Sequence, residues 1–210
     1  MARNFELDTK AAMDSNNGGK RIKDPGVYTG KIVCAWYEAN ANGTEIVQIV
    51  FKSDSGQEAG PLALYTHKSN GEVLSGYNTL NAILTCTKLR GITTKPKEVE
   101  LYDFDTKSTI HKMKDVYVEL TDKPIGFVFR AEEYETRNRD IKERLVIVAP
   151  FCPKTKLMAD EILKKELSPK SLDRITAWVE KEPIKRFKNR PVDAYQALAN
   201  DPLPDDEIPF

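Results

Sequence analysis

Between residues 27 and 149 apolar side chains recur mostly at every second position, and they switch to a spacing of three or four only once. A period of two marks strands with one buried face, and a period of three to four marks a helix, so this pattern leaves little room for anything but a largely β fold. The two-residue period runs through residues 27–39, 44–53, 62–67, 98–104, 116–120, 125–134 and 144–149. Asn40-Ala41-Asn42-Gly43 predicts a hairpin between the first two, and Gly60-Pro61 introduces the third. In 73–90, Leu74, Tyr77, Leu80, Ile83 and Leu84 share a helix face, with Gly91 as its stop. After Pro153 the helical period returns: Leu157, Ile162 and Leu163 form one stripe, Leu172, Ile175 and Val179 another, and Ser168-Pro169 marks a helix start between them. Trp36 and Trp178 keep step with apolar neighbours and are expected in the core. Residues 105–114, with Lys107, His111, Lys112 and Lys114, read as an exposed basic loop.

Three strands, a helix and further strands is the order of an OB barrel. The expected fold is therefore mainly β with α: an OB-fold-like antiparallel barrel with added strands and C-terminal helices. Its boundaries follow from local chemistry. Residues 1–25 are polar, with Ser15-Asn16-Asn17-Gly18-Gly19 as a loop, and form an N-terminal arm. The barrel spans 26–153 and a helical extension 154–182. Five of the 12 prolines (Pro183, Pro191, Pro202, Pro204 and Pro209) fall within 183–210, which favours an extended, flexible chain there.

The formal net charge is zero, from 32 basic and 32 acidic residues, but the two signs are separated. Residues 201–210 carry Asp201, Asp205, Asp206 and Glu207 with no base, a charge of −4. Residues 181–190 carry Lys181, Lys185, Arg186, Lys188 and Arg190 against Glu182, a charge of +4. An end that differs this much from the body has its own task.

Several classes are set aside. The run Leu145-Val146-Ile147-Val148-Ala149-Pro150-Phe151 is too short to cross a bilayer, and Met1 to Glu6 lack a signal-peptide apolar stretch, so no membrane role is expected. Cys34, Cys86 and Cys152 are odd in number and far apart, which fits small buried thiols in a reducing cytoplasm. With His67 and His111 as the only histidines, and no Cys-x-x-Cys, no metal or other cofactor is expected. No phosphate-binding glycine loop or nucleophile elbow is present. Asp103-Phe104-Asp105 pairs carboxylates that could hold magnesium, but it lacks a well-spaced lysine and reads as turn chemistry. An enzyme is not expected.

The most specific signal is Asp205-Asp206-Glu207-Ile208-Pro209-Phe210. Such a peptide offers Ile208 and Phe210 to a pocket and its carboxylates to surrounding bases, while Pro209 stiffens the backbone. It resembles the acidic tip, ending in Ile-Pro-Phe, of bacterial single-stranded-DNA-binding proteins. The body resembles phage-type members of that class through Gly26-Val27-Tyr28 at the start of the first strand and Glu133-Tyr134-Glu135, running to Asn138, in a late strand and turn. The body is longer than the bacterial ones and the spacer is not rich in Gly and Gln, so their tetramer is not implied, and a homo-oligomer is left open. The resemblance implies coating and protection of single-stranded DNA in replication, recombination or repair, and partner recruitment through the tip. A recombination mediator or annealing protein, and a decoy adaptor occupying tail-docking pockets, are the alternatives.

Binding single strands regardless of sequence needs cations for phosphates and aromatic faces for bases. Strand alternation gathers Lys31, Tyr37, Lys52, Tyr65, Arg130 and Tyr134 on one wet face, with Arg137, Arg139 and the lysines of 105–114 able to close over it.

Overall fold

The computed structural model describes residues 21–103, 108–136 and 138–187, with Leu7 and Thr9 before them. The chain runs through β1 (Gly26–Ala39), β2 (Glu45–Ser53), β3 (Glu58–His67), α1 (Ser75–Cys86), β4 (Thr94–Asp103), β5 (Ser108–Tyr117), a 3-10 turn (Val118–Leu120), β6 (Pro124–Glu135), β7 (Ile141–Phe151), α2 (Ala159–Leu163), α3 (Ser171–Lys181) and the two-residue β8 (Ile184–Lys185).

The long first strand organises everything else. From Gly30 to Ala39 β1 pairs antiparallel with β2, while its other edge serves β6 through residues 26–31 and β5 at Trp36 and Tyr37. It can bend between these partners because Gly30 has no side chain: a Cβ there would lie 2.1 Å from the Lys52 carbonyl oxygen. A bulge between Ile32 and Cys34 then turns the strand over, so that Ile32 and Ala35, three residues apart, both enter the main core. The strands β3-β2-β1-β6-β7 curl into an OB-like antiparallel barrel, open between β3 and β7, with α1 packed against both edge strands. The fold is thus mainly β, with the β4–β5 hairpin added to the barrel and helices following it, as the order of periods implied.

Three apolar clusters hold the body. Phe51, Phe127 and Phe129 fill the barrel with edge-on and tilted ring contacts 5.2–5.8 Å apart, beside Ile32, Ile49, Ile83 and Ile125, all excluded from water. Full burial of each such ring stabilises by about 1.5–3 kcal/mol. Leu172, Ile175 and Val179 of α3 pack on Val128, Val148 and Phe151 on the outer face of β6–β7. Trp36, Val99 and Val116 join β1 to the hairpin, with Cys34, Val50 and Leu101 against them.

Several boundaries differ from the sequence reading. The proposed basic loop is largely strand: Ser108–Tyr117 pairs residue for residue with Thr94–Asp103. Residues 118–120 form the 3-10 turn rather than continuing a strand. The first helix ends at Cys86, not at Gly91, because Thr87 Oγ1 donates to the Ile83 carbonyl and Lys88 takes a left-handed φ of 59°. Leu163 is 72% exposed, so only Ile162 of its pair packs on the core. The ends of the body are broader than expected as well. Ile22 is buried in the barrel core, Arg21 bridges to Glu58, and β8 lies parallel to β6 at Ala131 and Glu132. Among the described residues no helix is long and apolar enough to cross a membrane.

Candidate nucleic-acid interface

Strand parity sorts the charges of the β4–β5 hairpin. The register Lys95↔Val116, Lys97↔Lys114 and Val99↔Lys112 puts four lysines on the face that carries the buried Val99 and Val116 against Trp36. Glu98, Glu100, His111, Met113 and Asp115 occupy the opposite face. Lys114 is half-buried, lies 6.0 Å from the Trp36 ring and donates to Glu38 Oε1 at 3.2 Å. Burial pushes the Cys34 thiol pKa up against the pull of the nearby Lys97. Neither Lys97 nor Lys112 has an ion-pair partner among the described residues.

Lys31 and Lys52 extend this basic face onto β1 and β2, where they are cross-strand partners. Both are tethered, Lys31 to Asp122 and Lys52 to Glu58 at 3.4 Å, and both remain about half exposed. Tyr37 does not join them. Beyond the bulge it shares a face with Ala35 and its partner Val47, so it stands on the core side of the sheet, opposite to the expected placement.

The open seam of the barrel forms a trough of about 940 Å³. Arg144, Val146 and Val148 of β7 line its floor. One wall is Pro61, Ala63 and Tyr65 of β3 with Ser75, Gly76 and Thr79 of α1; the other is Trp178 with Arg130, Glu132 and Lys185. The first wall is tight because Gly76 lies on the β3 backbone, where a Cβ would come within 2.4 Å of the Tyr65 carbonyl oxygen. A second hollow of about 610 Å³ continues past Arg144 to Arg21, Lys23 and Tyr134.

Of the expected residues, Tyr65 and Tyr134 line these hollows. Tyr65 is 38% exposed and its hydroxyl bears on Arg144, whose guanidinium also covers the Tyr134 ring at 5.2 Å. Arg130 shares the trough but is not a wet cation. Its side chain is largely buried, with Nε donating to the Glu182 carbonyl at 2.7 Å and Nη2 to Glu182 Oε2 at 3.0 Å. Arg139 is exposed in the β6–β7 turn with a φ of 66°. Arg137 lies outside the described residues, as do Lys107, Phe104, Asp105 and the terminal Asp205, Asp206, Glu207, Ile208, Pro209 and Phe210.

Trp178 was expected in the core and is instead 41% exposed, its ring covered by Arg130 at 4.4 Å. Helical spacing puts it beside Val179, but α3 is amphipathic and Trp178 sits at the rim of its buried face. Arg144 and Lys185 both bind Glu132, at 2.8 and 2.7 Å. Burial works to raise the Glu132 pKa, yet these two cations hold it below the usual carboxylate range. The cations of the trough are thus each tied to a carboxylate, whereas Lys97 and Lys112 of the hairpin face have no such tie among the described residues. The sequence carried a sign of that face in the opposite parity of Lys95 and Lys97, just ahead of the expected strand start, and Glu98 and Glu100, just inside it. No family model matches the chain, and no curated protein matches it.

Proposed function

We propose that this protein binds single-stranded DNA without sequence preference and protects it during replication, recombination or repair. The observation that carries the reading is the sorting of charge on the β4–β5 hairpin: Lys95, Lys97, Lys112 and Lys114 face the barrel side that holds Lys31 and Lys52, and the acids face away. A row of ammonium groups on the outer face of the barrel follows a flexible phosphate backbone, and aromatic rings suit unpaired bases of any identity. The phage-type resemblance at Gly26-Val27-Tyr28 and Glu133-Tyr134-Glu135 supports the same reading. Tyr28 packs on Phe129 at 5.8 Å, and its hydroxyl donates to the Asp24 carbonyl at 3.1 Å, so its part is structural.

The segment Asp205-Asp206-Glu207-Ile208-Pro209-Phe210 extends the proposal to partner recruitment, as a docking peptide for replication and recombination proteins. The three free thiols fit a cytoplasmic setting. The test is fluorescence anisotropy with labelled oligo-dT and a duplex of equal length at two salt concentrations. The expected result is tight, salt-sensitive binding to the single strand and weak binding to the duplex. Equal affinity for both would overturn the proposal.

A further inference from the structure

We infer that the trough between β3 and β7 holds bases of the bound strand and that Trp178 is the face on which one of them stacks. The inference rests on the single-strand reading above and adds where the bases go.

The first argument is the state of the ring. Leu172 and Val179 of the same helix are buried, yet Trp178 leaves much of its surface open at the rim of the trough. It is not loose. The guanidinium of Arg130 covers it at 4.4 Å, and that guanidinium is itself held by two bonds to Glu182. A ring fixed before binding loses little freedom on binding, which is what a stacking platform requires. Arg130 is thus a positioning residue, acting on DNA through Trp178.

The second argument is continuity with the basic face. Gln48 lines the trough, and on β2 it is the cross-strand partner of Trp36, the ring that lies under Lys114. The lysine face and the trough therefore meet across one strand. A backbone drawn along the lysines can turn its bases over β2 and β3 into the seam.

The third argument is the division of charge. Within the trough every cation is tied to a carboxylate, Arg130 to Glu182 and both Arg144 and Lys185 to Glu132, and apolar and aromatic surface lies between them. At about 940 Å³ it is at the upper end of ligand-sized cavities. Phosphates belong on the lysines and bases in the trough, and the two contributions separate by their salt dependence.

The experiment is a titration of the full chain with oligo-dT at several salt concentrations, read by anisotropy and by tryptophan emission. Trp36 is 2% exposed but lies under Lys114, so the part of an emission change that Trp178→Phe removes is the part that reports Trp178. Trp178→Ala is expected to weaken binding roughly 5- to 150-fold, the range for one stacked base, with the salt slope unchanged. Trp178→Phe, which keeps a ring on Arg130, is expected to bind nearly as the parent while losing that part of the emission change. Wild-type affinity in Trp178→Ala, or an emission change of the parent's full size in Trp178→Phe, overturns the inference and leaves single-strand binding standing. Failure of the parent protein to bind oligo-dT overturns both.

Discussion

Glu161 shows how one residue fixes the approach of two helices. It is 1% exposed, and its carboxylate accepts from the backbone N–H groups of Met158 at 2.9 Å and of Lys170 and Ser171 at 2.8 Å each. Burial raises its pKa, but these donors outweigh it and hold the group at about 2. A carboxyl with a pKa below its unfolded value stabilises the fold above that unfolded value, and the contribution is lost as pH falls toward the folded one. Here the window runs from about 4.5 down to about 2. Glu161→Gln keeps one acceptor oxygen but sets an amide N–H against the Met158 donor. It is expected to cost about 2–3 kcal/mol at neutral pH, measured by urea unfolding, and to flatten the stability loss in that acid window. An unchanged urea midpoint would show that the three donors are satisfied without the charge. Single residues were the scale at which the sequence misled most. The alternation placing Arg130 outside the barrel core was sound, but its partner Glu182 is 52 positions away and nothing local reveals it. Tyr37 was misplaced because a one-residue bulge leaves no mark in composition yet reverses every side chain after it.

At the scale of elements, strands with one apolar face were legible and the second strand of the hairpin was not. Residues 108–114 carry His111, Lys112 and Lys114, and charge density of that kind looks like a loop when both faces of a strand meet water. Only Val99, Leu101, Ile110 and Val116, sharing one face in the register, disclose a strand pair. That polarity makes a sharp prediction. Lys97→Glu with Lys112→Glu is expected to weaken oligo-dT binding and to lower the salt slope by about 0.7 for each phosphate contact removed. Glu98→Gln with Glu100→Gln changes the hairpin's net charge without touching its lysine face, and is expected to leave the slope unchanged. Binding isotherms across a salt series decide it. If the glutamine pair raises the slope while the glutamate pair lowers it, following their opposite changes of net charge, the hairpin acts through its total charge, and the facing of its side chains is irrelevant.

Over the whole molecule, the barrel was readable because it needs only an order of periods, whereas the trough depends on distant strands meeting edge to edge. Tyr65, Arg144 and Trp178 come from β3, β7 and α3, and no window of sequence joins them. Charge is the other property of the whole chain. Residues 201–210 hold −4, and the described surface offers Lys97 and Lys112 without ion pairs. An acidic segment tethered to the same chain competes with phosphate for such lysines at a high effective concentration, with no contact that DNA itself must break elsewhere. Deleting residues 201–210 is therefore expected to tighten oligo-dT binding at low salt. The gain should fade as ionic strength rises, because the screening length shrinks from about 30 Å at 0.01 M to about 3 Å at 1 M. Anisotropy titrations of the full and shortened chains across that range measure it. Curves that coincide at the lowest salt would mean that the acidic residues never reach the lysine face, and would leave them to partners alone.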